Sequence, residues 1–329
     1  ITRIYTAGGL VGEAYAGDED AGLAEIDSII HDEIAPKILG EDGSAIERLW
    51  EIARPATWDI LRDRRLGLVA TASIDLTLWD LYARSLSTPL HKLWGGYRNW
   101  IPVITIGGYY NSEMTIQEEV ESLVEQGFAG MKFKIGGLTP KEDAKRFKEA
   151  RKYGGDNFRI AVDANQGYDL DTLQKWFEHT QSLEIELVEQ PIQVGQENNL
   201  YQTLDFASSI AADESLKDAS YAIKFASEPK RFGIFNIKLM KCGGLLPALE
   251  IAQIAKNSGI SLFWGCNDES IASITAALHL AYACPNTKYL DLDGSFDLAE
   301  DLVTGGFEVK NGFMYLNEKS GFGFSLLKL

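Results

Sequence analysis

Two lysines one position apart stand inside the apolar run Gly130-Met131-Lys132-Phe133-Lys134-Ile135-Gly136. On a β-strand Lys132 and Lys134 share one face, and two like charges side by side in a buried strand are costly. Further along, three apolar runs end in a carboxylate, at Asp163, Glu189 and Asp213, and the next ends in an amine, Lys238. The successive spacings from Asp163 are 26, 24 and 25 residues. Three carboxylates delivered by neighbouring strands make an oxygen-rich site suited to Mg²⁺ or Mn²⁺. The amines Lys134 and Lys238 would then flank that site from opposite sides. A last run closes on Asp291-Leu292-Asp293.

Each spacing is the length of one β/α unit. Short β-like runs recur eight times, at 101–105, 130–135, 159–163, 185–189, 209–213, 234–238, 261–265 and 288–291. Amphipathic stretches of helical period, such as Ile116 to Gln126, Pro140 to Tyr153 and Leu245 to Ser258, separate most of them. This alternation predicts an α/β fold, a parallel sheet closed into a (β/α)8 barrel. No GxGxxG follows an early strand, which disfavours an open doubly wound sheet. In a barrel the C-terminal strand ends converge on one mouth. A lone KxK pair is usually a solvated face and a lone Asp after a strand a cap. Capping alone does not call for Lys, Asp, Glu, Asp, Lys in that order.

The barrel is expected over residues 99–294. Residues 1–98 read as a separate α+β capping unit, with strand and turn in Gly8 to Gly17 and helix in Ala21 to Leu39 and Arg65 to Leu86. Residues 295–329 carry turns and short strands and are expected to pack back on that unit. The 329 residues are 45% hydrophobic, enough for a large core. No run reaches the roughly 18 apolar residues of a membrane span. A net charge of −17 opposes nucleic acid and anionic membranes as partners. Cys242, Cys266 and Cys284 lack metal-ligand spacing and read as reduced thiols. With no secretory signal visible, a cytoplasmic protein is expected.

The stretches MKFKIG, VDANQGY, LVEQPI, AADES and FNIKLMKCGG, with ASIDLTLWDLYAR and PLHKLWGG ahead of them, resemble the muconate-lactonizing-enzyme branch of the enolase superfamily. The resemblance runs from about Gly8 onward and implies a TIM-like barrel with an α+β capping domain. It implies an essential Mg²⁺ held by Asp163, Glu189 and Asp213. Lys134 and Lys238 fall at the acid/base positions on opposite faces of the substrate. Lys132 falls at the neighbour that helps hold the substrate carboxylate and tunes Lys134, and Asn165 at a supporting polar position. The mandelate-racemase branch has Asp where Lys238 stands and His at the strand-seven end, which here reads Gly265-Cys266-Asn267-Asp268-Glu269.

The implied chemistry removes a proton from the carbon beside a carboxylate, with a metal stabilising the charge that develops. The base must be a neutral amine, although an unperturbed lysine has a pKa of about 10.4. Burial, a second ammonium and a divalent cation are expected to disfavour the charged form. Lysines on both faces suit a 1,1-proton transfer, that is, epimerisation. Asp291-Leu292-Asp293 resembles the DxD with which dipeptide epimerases hold the substrate α-ammonium. If Asp268 or Glu269 reaches the mouth, basic side chains would be preferred, although either residue could equally cap a helix beginning near Ser270. The expected substrate is a dipeptide or amino acid derivative, and the expected assembly a homo-oligomer. Alternatives are an N-acyl amino acid racemase, an amino-acid or hydroxyproline dehydratase, and a muconate-type cycloisomerase, whose diacid Asp291 and Asp293 would repel. A non-enzymatic scaffold would bind no metal. Family members usually carry a mobile loop between an opening strand like Ile1 to Ile4 and the next run. Tyr5 follows Ile4 directly here, so the two are expected not to be covalent neighbours.

Overall fold

The structure, a computed structural model, describes residues 1–17, 22–198, 200 and 209–327. Ala21 and the last two residues, parts of an expected helix and of the tail, lie outside the described residues. Eight parallel strands form the central sheet: β1 (Thr105–Gly107), β2 (Gly130–Lys134), β3 (Arg159–Asp163), β4 (Val188–Glu189), β5 (Ile210–Ala212), β6 (Ile234–Ile237), β7 (Ser261–Gly265) and β8 (Thr287–Asp291). They pair in sequence order, and the Ile104 N–H donates to the Leu290 carbonyl at 2.8 Å across the seam. Strand β2 alternates as its pattern requires. Met131 and Phe133 join the core between sheet and helices, while Lys132 and Lys134 point inward. Ile104, Ala161, Leu187, Ala211, Ile234, Phe263 and Tyr289 form a buried apolar plug inside the barrel. Lys132 lies against it, its Nζ 5.6 Å from the Phe263 ring centroid.

The helices begin where their sequences supply caps. Thr115 and Thr139 each form a capping box, with Glu118 and Glu142, at the starts of Ile116–Glu125 and Pro140–Gly154. The long helix Arg64–Ser85, capped by Asp63, is buried on most of its surface between the capping unit and the barrel. Its Asp75 accepts from the Leu245 and Leu246 N–H groups at 2.5 and 3.3 Å, capping the helix Leu245–Asn257 from another element.

Two readings of the sequence change. The run 101–105 is not one barrel strand: Ile101–Pro102 pairs antiparallel with Phe313–Leu316, and the barrel strand is Thr105–Gly107. An uninterrupted apolar run hides two short strands that serve different sheets. In addition, Thr2–Tyr5 is one unbroken strand, with Ile4 opposite Gly12 and Tyr5 opposite Val11. A turn over Thr6–Leu10 closes the hairpin, and no covering loop interrupts it. The tail residues Val303–Gly305 pair with Phe324–Leu326, and Leu90 N–H donates to Gly321 O at 3.1 Å beside the capping unit.

Candidate active site

The strand register decides which side chains meet. Lys134 lies opposite Asp163, and Asp163 opposite Glu189, so these strand ends are level. Lys134 Nζ lies 2.8 Å from Asp163 Oδ2 and donates to Asn165 Oδ1 at 2.5 Å. Asn165 N–H in turn donates to Asp163 Oδ1 at 2.9 Å. Across the row, Lys238 Nζ lies 3.1 Å from Asp213 Oδ2 and 3.3 Å from Asn267 Oδ1. The two lysines therefore engage the two ends of the carboxylate row, with Glu189 between them. Lys132, two residues deeper along β2 than Lys134, reaches Asp291 at 2.5 Å, Glu189 at 3.1 Å and Asp163 at 3.7 Å.

Two further residues belong here that the strand ends did not disclose. Lys241 binds Asp213 Oδ1 and donates to the Asp213 and Asn236 carbonyls at 2.7 and 3.1 Å. Its signal was present: KLMK places a second lysine one helical turn after Lys238. Asn236 donates to Glu189 Oε1 at 2.5 Å. A lone amide in the middle of the apolar run Phe235-Asn236-Ile237 was its mark.

The carboxylates pull on the lysines unequally. Burial alone would depress the Lys132 ammonium, but Asp291, Glu189 and Asp163 outweigh it and hold it well above the usual lysine range. Lys238 is likewise raised, because Asp213 overcomes its burial and the repulsion from Lys132. The carboxylates share the ammonium groups unequally. Asp213 has two lysines and sits below the usual carboxylate range despite its burial. Glu189 is completely buried and shares Lys132 with two other acids. Burial, helped by the Asp163 and Asp213 charges, pushes Glu189 up to about 8.

No three His, Cys, Asp or Glu side chains among the described residues are gathered as a ready metal cluster. Ammonium groups lie between the carboxylates instead, because five buried acids in one mouth need countercharge. The donor chemistry nevertheless fits a hard divalent cation. Asp163, Glu189 and Asp213 supply carboxylate oxygens from three adjacent strands, and the completely buried Glu189 Oε2 has only the Lys132 ammonium, shared with Asp291 and Asp163, as countercharge.

Asp291 and Asp293 lie side by side, although β8 ends at Asp291. Asp293 Oδ2 accepts from Ile106 N–H at 2.6 Å. Burial first, and the Asp291 charge second, push its carboxyl up to about 7. Glu269 is not part of the mouth surface. It is buried, accepts from Asn267 N–H at 3.1 Å and from Ser273 Oγ, and so braces the start of helix Ile271–Ala283. Asp268 is exposed at the rim. Its charge reaches Tyr109, whose phenol is pushed up to about 12 by burial, Asp293, Asp268 and Asp297. Tyr109 in turn lies against Lys134, with Nζ 5.9 Å from the ring centroid.

Comparison with known proteins extends over nearly the whole chain. Residues 1–95 match the family described as mandelate racemase / muconate lactonizing enzyme, N-terminal domain, and residues 115–328 match the enolase C-terminal domain-like family. An L-Lys-D/L-Arg epimerase of Methylococcus capsulatus is 39% identical over 98% of this chain and 90% of its own length. A crystal structure of a dipeptide epimerase from that organism, complexed with Mg and the dipeptide L-Arg-D-Lys, aligns with a TM-score of 0.86 at 38% identity, over 98% of this chain and 90% of that one. A chloromuconate cycloisomerase of Cupriavidus necator is 32% identical over 97% of this chain and 84% of its own length. With both halves matched in order on one chain, the protein belongs to the mandelate racemase/muconate lactonizing enzyme family of the enolase superfamily.

Proposed function

We propose that this protein is a Mg²⁺-dependent epimerase that inverts an α-carbon of a dipeptide by 1,1-proton transfer. The observation that carries the reading is the pair Lys134 and Lys238, engaged at opposite ends of one carboxylate row and accompanied by the buried acids Asp291 and Asp293. Asp163, Glu189 and Asp213 would hold the ion, which supplies fixed positive charge beside the substrate carboxylate as negative charge builds on it. Lys134 or Lys238, as the free amine, takes the α-proton from one face, and the other, as the ammonium, returns a proton from the opposite face. Lys132 pairs with Asp291 and holds it in place. Asn165 orients Lys134 through the contact described above. Asp291 and Asp293 receive the dipeptide ammonium, and Asp268, Asp297 and Tyr109 at the rim favour a cationic side chain. The Lys and Arg dipeptide relatives agree with that preference.

The buried acid pair also argues against the cycloisomerase activity of the 32% relative, because it would repel a dicarboxylate. The proposal extends to a cytoplasmic enzyme, for which the three free cysteines are the support; among the described residues no helix is long and apolar enough to cross a membrane. Incubation with a Lys/Arg dipeptide set in D₂O and Mg²⁺ tests the function. Deuterium at an α-carbon together with its inversion is expected. Turnover of N-acetylated dipeptides as fast as free ones would instead indicate an N-acyl amino acid racemase.

A further inference from the structure

Gln190 follows Glu189 at the end of β4, is completely buried, and has a φ of +31°, rare for a residue other than glycine. Its side chain uses its whole hydrogen-bonding capacity. Oε1 accepts from Asp213 N–H at 3.0 Å and from Ser215 N–H at 3.2 Å. Nε2 donates to Ile192 O at 2.9 Å and to Ser215 Oγ at 2.8 Å. The backbone is committed as well: Gln190 N–H donates to Ala211 O at 2.9 Å, and Gln190 O accepts from Gln166 N–H at 2.8 Å. One residue thus ties together the segments that follow β3, β4 and β5, directly behind the strand ends where Asp163, Glu189 and Asp213 stand. Behind it, Ser215 Oγ donates to Glu197 Oε1 at 2.7 Å, and Gly195 N–H donates to the same oxygen at 2.7 Å, so Ser215 is fixed in turn.

From this network we infer that Gln190 is the positioning residue that sets the spacing of the three carboxylates and so determines affinity and selectivity for the divalent cation. It touches neither the ion nor the substrate and acts through the Asp213 backbone. The inference rests on the metal reading given above. Mg²⁺ demands near-ideal octahedral geometry, whereas Ca²⁺ tolerates longer and more irregular coordination. A loosened carboxylate row therefore penalises Mg²⁺ more than Ca²⁺. Gln190→Met keeps length and volume but removes all four side-chain hydrogen bonds.

Calorimetric titration of the full-length protein with Mg²⁺ and separately with Ca²⁺ provides the test, with circular dichroism to verify folding. The expected result for Q190M is Mg²⁺ binding weakened by roughly tenfold to a hundredfold, the range for supporting residues behind metal ligands, with a smaller loss for Ca²⁺. Mg²⁺ affinity within twofold of wild type, or equal losses for both ions, would overturn the inference. If Q190M does not fold, Ser215→Ala decides. It removes one partner of Gln190 and should weaken Mg²⁺ several-fold more than Ca²⁺, and unchanged affinity there overturns the inference. A wild-type protein that binds no Mg²⁺ refutes the metal reading and this inference with it. A wild type that binds while the variants bind equally well refutes this inference alone.

Discussion

Dipeptide binding should expel a proton from the protein, and Asp293 is where it leaves. The carboxyl titrates near 7 because it is buried beside Asp291, so below that pH the free site holds it neutral. A substrate ammonium placed against it supplies the countercharge that burial denied and returns it to the ionised form. The bound state then holds fewer protons than the free one, so affinity must rise with pH through 7. With a free value of about 7, the affinity gain is about fivefold from pH 6 to pH 7. The proton released is about 0.9 per dipeptide at pH 6. Between pH 7 and pH 8 the dipeptide amine, with a pKa of about 7.7 to 8.0, loses its own charge and offsets the remaining gain, so affinity levels off and then falls. Calorimetry in buffers of different ionisation enthalpy reads the proton count directly. Asp293→Asn keeps an oxygen for the Ile106 N–H but cannot titrate, so it should bind roughly tenfold to a hundredfold more weakly and without the rising limb. A wild-type affinity that is flat between pH 6 and pH 7, or an Asn variant that still releases the proton, would refute the reasoning.

Lys134→Ala and Lys238→Ala should each lower epimerisation by at least about a thousandfold while leaving the fold intact. Each should still wash deuterium into only one epimer, the one whose α-proton faces the surviving lysine, as NMR will report. The buried pair His91 and His279 gives a separate prediction. His279 Nδ1 accepts from His91 N–H at 3.1 Å, and burial depresses His279 to about 3. Its stabilising effect is complete above the unfolded value of about 6.5 and is lost as pH falls toward 3, by about 1.4 kcal/mol between pH 7.5 and pH 5.5. Denaturation of wild type and His279→Gln at both pH values should differ by that amount, and identical pH slopes would refute it. Gly244 has a φ of +120° and its missing Cβ would collide with the Asp75 carboxylate. Gly244→Ala should therefore cost at least about 2 kcal/mol in chemical denaturation.

Most of the barrel was legible because a strand-helix rhythm with polar strand ends fits few folds besides a closed parallel sheet. The inward pair Lys132 and Lys134 followed from the two-residue period alone. What periodicity could not resolve was the run 101–105, where every residue suits either sheet and only the C-terminal partner Phe313–Leu316 assigns Ile101 and Pro102. Glu269 had two admissible readings in the sequence. The hydroxyl of Ser273, one helical turn away, resolved them in favour of the helix start. The pull of the acids on Lys132 and Lys238 was not legible in the sequence. It depends on how many acids share each ammonium, a matter of three-dimensional count rather than of neighbours in the chain. Gln190 was visible as a letter in Val188-Glu189-Gln190-Pro191, but its reach to Asp213 and Ser215 is a property of the folded loops alone.

The small sheet that joins Ile101–Pro102 to Phe313–Leu316 governs the order in which the protein comes into being on the ribosome. The segment leading into β1 is made early, yet its partner is made more than two hundred residues later. The helix Arg64–Ser85 waits in the same way, because its buried Asp80 accepts from Phe322 N–H at 2.9 Å. Until those late residues have left the exit tunnel, Ile101–Pro102 has no partner strand and a face of the long helix stays uncovered. Pairings between such distant segments form slowly and leave apolar surface exposed meanwhile. The nascent chain can therefore build strands two to seven while still attached, but the mouth closes only after β8, Thr287–Asp291, emerges. A stalled chain shorter than that would carry all four lysines and all three row carboxylates without a site in which to use them.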